Sequence, residues 1–109
     1  MEIRARDNER ELLLELSGEI DHHGARNALK EVEMAIDAAL PRLLTLDFSG
    51  VTFMDSSGVG FLIGRYKKLI PKGCIVALRG ATDAVDRILD ISGIYKIIRL
   101  CNEKESKAG

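Results

Sequence analysis

The first twenty residues alternate between apolar and polar side chains, which is typical of a β-strand with one buried face. Leu12, Leu14 and Leu16 share one face of such a strand, and they alternate with Leu13, Glu15 and Ser17 on the opposite face. The polar run at 7–10 favours a turn back to a short strand nearer the N-terminus. The chain is therefore predicted to open with a β-hairpin.

Three segments with helical spacing follow the hairpin, and short apolar strands separate them. The predicted elements are helices over 25–40, 56–70 and 83–92 and strands over 43–48, 74–78 and 97–100. The strand at 43–48 is apolar on both faces, so we expect a central strand that is covered on two sides.

The resulting order β-β-α-β-α-β-α-β predicts an α/β fold. Strands that alternate with helices favour parallel pairing through right-handed crossovers, and the hairpin adds one antiparallel pair. We expect a single domain over 1–101, with a mixed, mostly parallel sheet of four to five strands and helices packed on it. A polar C-terminal tail is predicted over 102–109.

The charge balance narrows the possible partners. The 109 residues carry 16 basic and 17 acidic side chains, a formal net charge of -1. A nucleic-acid groove or a membrane-surface patch needs a basic excess, so neither partner is expected. No apolar run reaches the roughly 20 residues that span a bilayer, and the first residues lack the apolar core of a signal peptide. These features predict a cytoplasmic protein.

The side chains that commonly bind metals do not form a site in this sequence. Cys74 and Cys101 lie in apolar runs and are predicted to be reduced packing residues, too few and too far apart for a zinc cluster. His22 and His23 are adjacent, so in an extended chain they point in opposite directions. A solvated loop is the expected location of both histidines, and no metal is predicted.

The junction after the predicted central strand carries three residues that favour helix caps, Asp55, Ser56 and Ser57. In a purely structural interpretation one of them caps the helix, while Gly58 and Gly60 let that helix pack closely on the sheet. The same geometry accommodates an anion, because the first N–H groups of a helix lack internal partners and the helix dipole is positive there. A phosphoserine, with a charge of about -1.5 to -2, fits such a position.

Several blocks of the sequence resemble a known family. The run DSSGVG at 55–60, preceded by LDF at 46–48, resembles the signature of the STAS domain of anti-sigma factor antagonists. The blocks GEIDHH at 18–23, GRYK at 64–67 and ISGIYKIIR at 91–99 are similar, at matching spacing, to the sporulation members that act with the sigma-F system. The resemblance covers nearly the whole chain.

This resemblance implies a regulatory protein that is not an enzyme and needs no cofactor. The unphosphorylated antagonist is expected to bind an anti-sigma factor, which frees the sigma factor. That anti-sigma factor is also an ATP-dependent serine kinase that inactivates the antagonist by phosphorylating the first serine of the motif, here Ser56. A dedicated serine phosphatase reverses the reaction. Asp21 is expected to pair with a basic residue of the kinase. The residues expected at the docking surface are Asp21, Asp55, Ser56, Ser57, Gly58 and Gly60.

An enzymatic function is the alternative. The glycines at 58, 60 and 64 follow a strand and open a helix, as in dinucleotide-binding folds, but the third comes one residue late. A hydrolytic triad of Ser56, a histidine and Asp55 or Asp21 is conceivable, although no oxyanion-hole motif accompanies it. A small nucleotide-binding or hydrolytic enzyme that uses the Gly58–Gly60 helix start therefore stays open as the second hypothesis.

Overall fold

The computed structural model describes residues 1–100, the last two by their backbone alone. The elements are β1 (Glu2–Asn8), β2 (Glu11–Ile20), α1 (His22–Ala39), β3 (Leu43–Met54), α2 (Ser56–Leu69), β4 (Ile75–Arg79), α3 (Asp83–Ser92) and β5 (Arg99–Leu100). Single 3-10 turns at Ile70–Lys72 and Ile94–Lys96 follow α2 and α3. Cys101 and the predicted polar tail over 102–109 lie outside the described residues.

The five strands form one sheet in the order β1-β2-β3-β4-β5. The β1–β2 hairpin is antiparallel and turns at Glu9 and Arg10, which both have positive φ angles. All other pairs are parallel, so the predicted mixed, mostly parallel sheet is confirmed. Each right-handed crossover steps in the same direction along the sheet, which places the three connecting helices on one face.

The core lies between that face and the helices. Alternate residues of β2, β3 and β4 are fully buried there, namely Leu12, Leu14, Leu16, Leu44, Leu46, Phe48, Val76 and Leu78. The opposite face is more open: Leu43 and Thr45 are half-buried, and Ile75 is 57% exposed. The prediction that the strand at 43–48 is covered on both sides was therefore wrong, because every crossover helix packs on the same face.

The two central strands extend further than the sequence pattern predicts. A loop was expected after Phe48, but β3 continues to Met54 and stays paired with β2 as far as Ile20. Two register shifts, each with one extra residue in β3, interrupt this pairing. A Cβ at Gly50 would lie 2.9 Å from the Ser17 Cβ, so glycine permits the close approach of the strands at this point. Because β2 and β3 stay paired over this length, their C-terminal ends lie side by side at the same edge of the sheet.

The buried face of α2 also differs from the predicted stripe. Its buried residues are Gly58, Phe61, Leu62, Arg65 and Leu69. The helical spacing of Val59, Ile63 and Tyr66 predicts that these side chains face the core, but they are only half-buried. The burial is rotated toward Phe61 and Arg65 because α2 packs against α1 as well as against the sheet. An arginine is thereby enclosed at a position that the hydrophobic pattern assigned to solvent.

Candidate functional site

The ends of β2 and β3 bring the starts of two helices side by side. Ile20 and Met54 are register partners in the parallel pair, and each is followed by one aspartate and then by a helix. The Asp55 backbone N–H donates to the Ile20 carbonyl at 3.3 Å, which ties the two junctions together. The predicted site residues from both sequence blocks therefore meet at one edge of the sheet.

Asp21 is the N-cap of α1. Its Oδ1 accepts the Gly24 N–H at 2.7 Å, and this hydrogen bond lowers the pKa of the carboxyl group. Asp21 therefore contributes to folding, because a side chain that satisfies a helix N–H stabilises the helix. His22 and His23 lie in the first turn of α1, with ring centroids 6.0 Å apart, and not in the solvated loop that was predicted.

Asp55 caps α2 in the same way, with its Oδ1 accepting the Ser57 N–H at 2.8 Å. Of the three capping-type residues, Asp55 is thus the cap, and the two serines occupy the first helical positions. Ser56 is exposed, whereas Ser57 is half-buried with its N–H engaged by Asp55. Ser56 is the serine whose hydroxyl a partner enzyme reaches more readily.

The two glycines of the motif differ in their surroundings. Gly58 is buried, and a Cβ there would collide with the Met54 side chain, including its Sδ at 2.6 Å, and would approach Ile20. Gly60 is exposed, and a Cβ there would meet nothing within 4 Å. Close packing on the sheet therefore explains Gly58 and does not explain Gly60, which leaves a flat, open surface one turn beyond Ser56.

An open groove of about 380 Å³ runs between α1 and α2 and continues from this surface. It is lined by His22, Ala25, Arg26, Leu29, Ser57, Gly60, Phe61 and Arg65. The lining combines apolar side chains with two arginines, and His22 and Ser57 come from the first turns of the two helices. The sequence pattern did not predict this groove, because its lining is shared between two helices that are far apart in the chain.

Comparison with known proteins places this arrangement in a family. The STAS domain profile matches residues 2–107. The anti-sigma F factor antagonist of Paenibacillus polymyxa is 38% identical over 87 residues, which cover 80% of this chain and 74% of that protein. The chain belongs to the STAS-domain anti-sigma factor antagonists.

Two solved structures extend the likeness to three dimensions. The unphosphorylated anti-sigma factor antagonist SpoIIAA superposes with a TM-score of 0.79 at 25% identity, covering 96% of this chain and 92% of SpoIIAA. The Bacillus cell fate determinant SpoIIAA in its phosphorylated form has a TM-score of 0.71 at 23% identity, with coverage of 98% and 97%. The fold predicted from the family resemblance is confirmed.

Two side chains of this STAS domain lie near the motif although the sequence pattern did not single them out. Phe53, the penultimate residue of β3, is 48% exposed and lies two residues before Asp55. Arg65 is enclosed at the far end of the groove. The available signal for Phe53 was a large apolar side chain close to a polar motif in the sequence. Arg65 belongs to the block GRYK at 64–67, but nothing in its spacing indicated that the side chain is enclosed.

The described residues contain neither a metal-binding cluster nor a membrane-spanning helix. No three histidine, cysteine, aspartate or glutamate side chains within 1–100 come close enough to hold a metal ion. No helix in this part of the chain is both long and apolar enough to cross a bilayer. Cys74 is a free, buried thiol, and burial raises its pKa, which matches the packing role predicted for it.

Proposed function

We propose that this STAS domain is a cytoplasmic anti-sigma factor antagonist whose unphosphorylated form binds an anti-sigma factor, so that the sigma factor is released. The observation that carries the proposal is the exposed Ser56 at the start of α2, beside an open surface made by two helix starts. An antagonist needs such a surface, because its only task is to occupy its partner.

Phosphorylation of Ser56 is the proposed off-switch. The anti-sigma factor acts as the serine kinase, and a serine phosphatase restores the free hydroxyl. Ser56 is favoured over Ser57 because Ser57 is half-buried and its N–H is held by Asp55. A kinase must draw the acceptor oxygen into its own active site, which is easier for an exposed side chain on the first residue of a helix.

Three neighbours of Ser56 are assigned to the docking surface. Asp21 offers a solvated carboxylate that can pair with a basic residue of the kinase. Asp55 directly precedes Ser56, and its N–H donates to the carbonyl of Ile20, the residue before Asp21. Gly60 keeps the adjoining turn open. Ser57 and Gly58 contribute mainly by fixing the shape of the turn that carries Ser56, since the first is bonded to the cap and the second is buried against Met54.

The phosphate is proposed to act by charge at this surface. Asp55 already accepts the Ser57 N–H at the start of α2. A phosphate on Ser56 therefore finds this helix N-terminus partly occupied, and the phosphate projects outward. It then adds about -1.5 to -2 charge next to two carboxylates. Burying that charge against a partner without a matching cation is costly, so the complex dissociates.

A reconstitution with purified components tests the proposal. The unphosphorylated chain is added to a preformed complex of a sporulation anti-sigma factor and its sigma factor, and free sigma factor is measured by size-exclusion chromatography. We expect release that depends on the concentration of the chain. The chain with ATP alone should produce neither ADP nor phosphate; turnover under those conditions would favour the enzymatic alternative, and absence of any complex would contradict the antagonist assignment.

A further inference from the structure

Arg65 is a buried cation that the described residues leave under-satisfied. Its side chain is only 11% exposed, and its Nε and Nη1 atoms are buried without a hydrogen-bond acceptor within residues 1–100. Its guanidinium carbon lies 5.6 Å from the centre of the Phe61 ring, a contact that favours a cation over an aromatic face but accepts no N–H. A buried N–H without an acceptor is costly, so such groups call for an explanation.

The nearest carboxylate does not supply one. Glu33 of α1 approaches Arg65 Nη1 at 3.3 Å, outside good hydrogen-bond geometry, and it also binds the Lys68 ammonium. The Lys68 ammonium, more than the Arg65 guanidinium, lowers the pKa of Glu33 against the opposing effect of desolvation. One carboxylate therefore serves two cations, and the stronger contact goes to Lys68. A positive excess stays at this position between α1 and α2.

Arg65 lines the groove described above, and it also lines a smaller pocket that contains Glu33 and Lys68. Among the eight described residues that line it, none carries a carboxylate, while Arg65 and Arg26 are permanent cations. Leu29 and Phe61 supply apolar contact area between them. The groove is continuous with the motif, because Ser57 and Gly60 line its other end. A complementary ligand is therefore an acidic side chain flanked by apolar ones.

We propose that this groove receives an acidic side chain of the anti-sigma factor, held among apolar residues of the same partner segment, with its carboxylate on the Arg65 guanidinium. The inference rests on the proposed function and adds a second contact to it, about two helical turns from Ser56. Charge complementarity selects the occupant: a carboxylate in the groove offsets the positive charge of Arg65 and Arg26, and the apolar neighbours Leu29 and Phe61 reduce the access of water that would weaken the pair.

Replacing Arg65 separates this role from a structural one. Arg65→Met keeps the length and apolar stem of the side chain and removes the buried charge, so the fold should lose no stability and can gain some. Affinity for the anti-sigma factor, measured by titration calorimetry, should fall at least tenfold. Lys68→Met is the matched control: it removes a cation from the next turn that contacts the same Glu33 but does not line the groove, and its affinity should stay close to wild type.

Each result has one interpretation. Equal affinities of Arg65→Met and wild type would overturn the inference while leaving the antagonist function intact, whereas failure of the wild-type chain to bind any anti-sigma factor would overturn both. If Arg65→Met does not fold, the Arg65 Nε–H resonance of the wild-type chain is followed instead: it should shift on adding the partner, and an unchanged resonance would contradict the contact. Concentration-dependent self-association that Arg65→Met abolishes would assign the groove to a second copy of the chain.

Discussion

Asp21 and Asp55 cap neighbouring helices from the ends of paired strands, and the Asp55 N–H donates to the carbonyl immediately before Asp21. Each carboxylate satisfies one N–H of its own helix and still faces the surface that carries Ser56. Folding and the proposed recognition therefore use the same two side chains, and experiments on this site must separate stability from affinity.

Asp21 allows that separation, because asparagine caps a helix about as well as aspartate whereas alanine does not. Asp21→Ala should lower the melting temperature, and Asp21→Asn should leave it near the wild-type value. Both substitutions remove the charge, so both should weaken anti-sigma factor binding by about tenfold at low salt. Thermal melts and calorimetric titrations check the two effects, and an Asp21→Asn variant with wild-type affinity would show that the carboxylate meets no cation of the partner.

The two motif glycines should respond in opposite directions to alanine. Gly58→Ala forces a methyl group against the buried Met54 side chain, so we expect destabilisation by about 1–3 kcal/mol. Gly60→Ala meets nothing within 4 Å and improves helix propensity, so a gain of roughly 0.5–1 kcal/mol is expected. Urea unfolding measures both free energies. If Gly60→Ala becomes more stable yet binds the anti-sigma factor less well, Gly60 is part of the docking surface; unimpaired binding would remove it from that surface.

The caps and glycines mark the boundary of what the sequence could predict. Element types and order were predictable because apolar spacing reports one buried face, as for Leu12, Leu14 and Leu16. The extension of β3 to Met54 was not, since Ser49, Gly50 and Thr52 resemble a loop and only pairing with β2 makes this segment a strand. The enclosure of Arg65 depends on how α1 meets α2, a relationship that local spacing does not encode.

Acid should destabilise the domain partly through Asp47. Burial alone raises the pKa of this 7% exposed carboxyl, but the Ser49 N–H at 2.8 Å and the Arg79 guanidinium at 3.0 Å outweigh it and hold the pKa below its ordinary 3.8. A lowered pKa contributes stability above pH 3.8 that is lost as pH falls through the folded-state value. Asp47→Asn should therefore be less stable than wild type at neutral pH, with the gap in urea midpoints narrowing below pH 3.8. A constant gap would contradict this assignment.

Phosphorylation should leave the backbone of the domain unchanged. The phosphate is expected on an exposed side chain, solvent and salt screen its repulsion from Asp55, and the packed core resists displacement. Backbone amide shifts between the free and phosphorylated forms should be confined to 55–60 and its immediate neighbours. Shifts that spread through β4 and α3 would require an allosteric mechanism in place of local charge.

The central claim is that one phosphate on Ser56 switches partner binding off. The direct measurement is intact-mass analysis and peptide mapping of the chain after incubation with its anti-sigma factor and ATP, followed by titration of the purified product against fresh anti-sigma factor. We predict a single added phosphoryl group on Ser56, loss of measurable binding, and an unmodified Ser56→Ala variant that still binds. A phosphate mapped to Ser57, or a Ser56-phosphorylated chain that binds as tightly as the free form, would contradict the account.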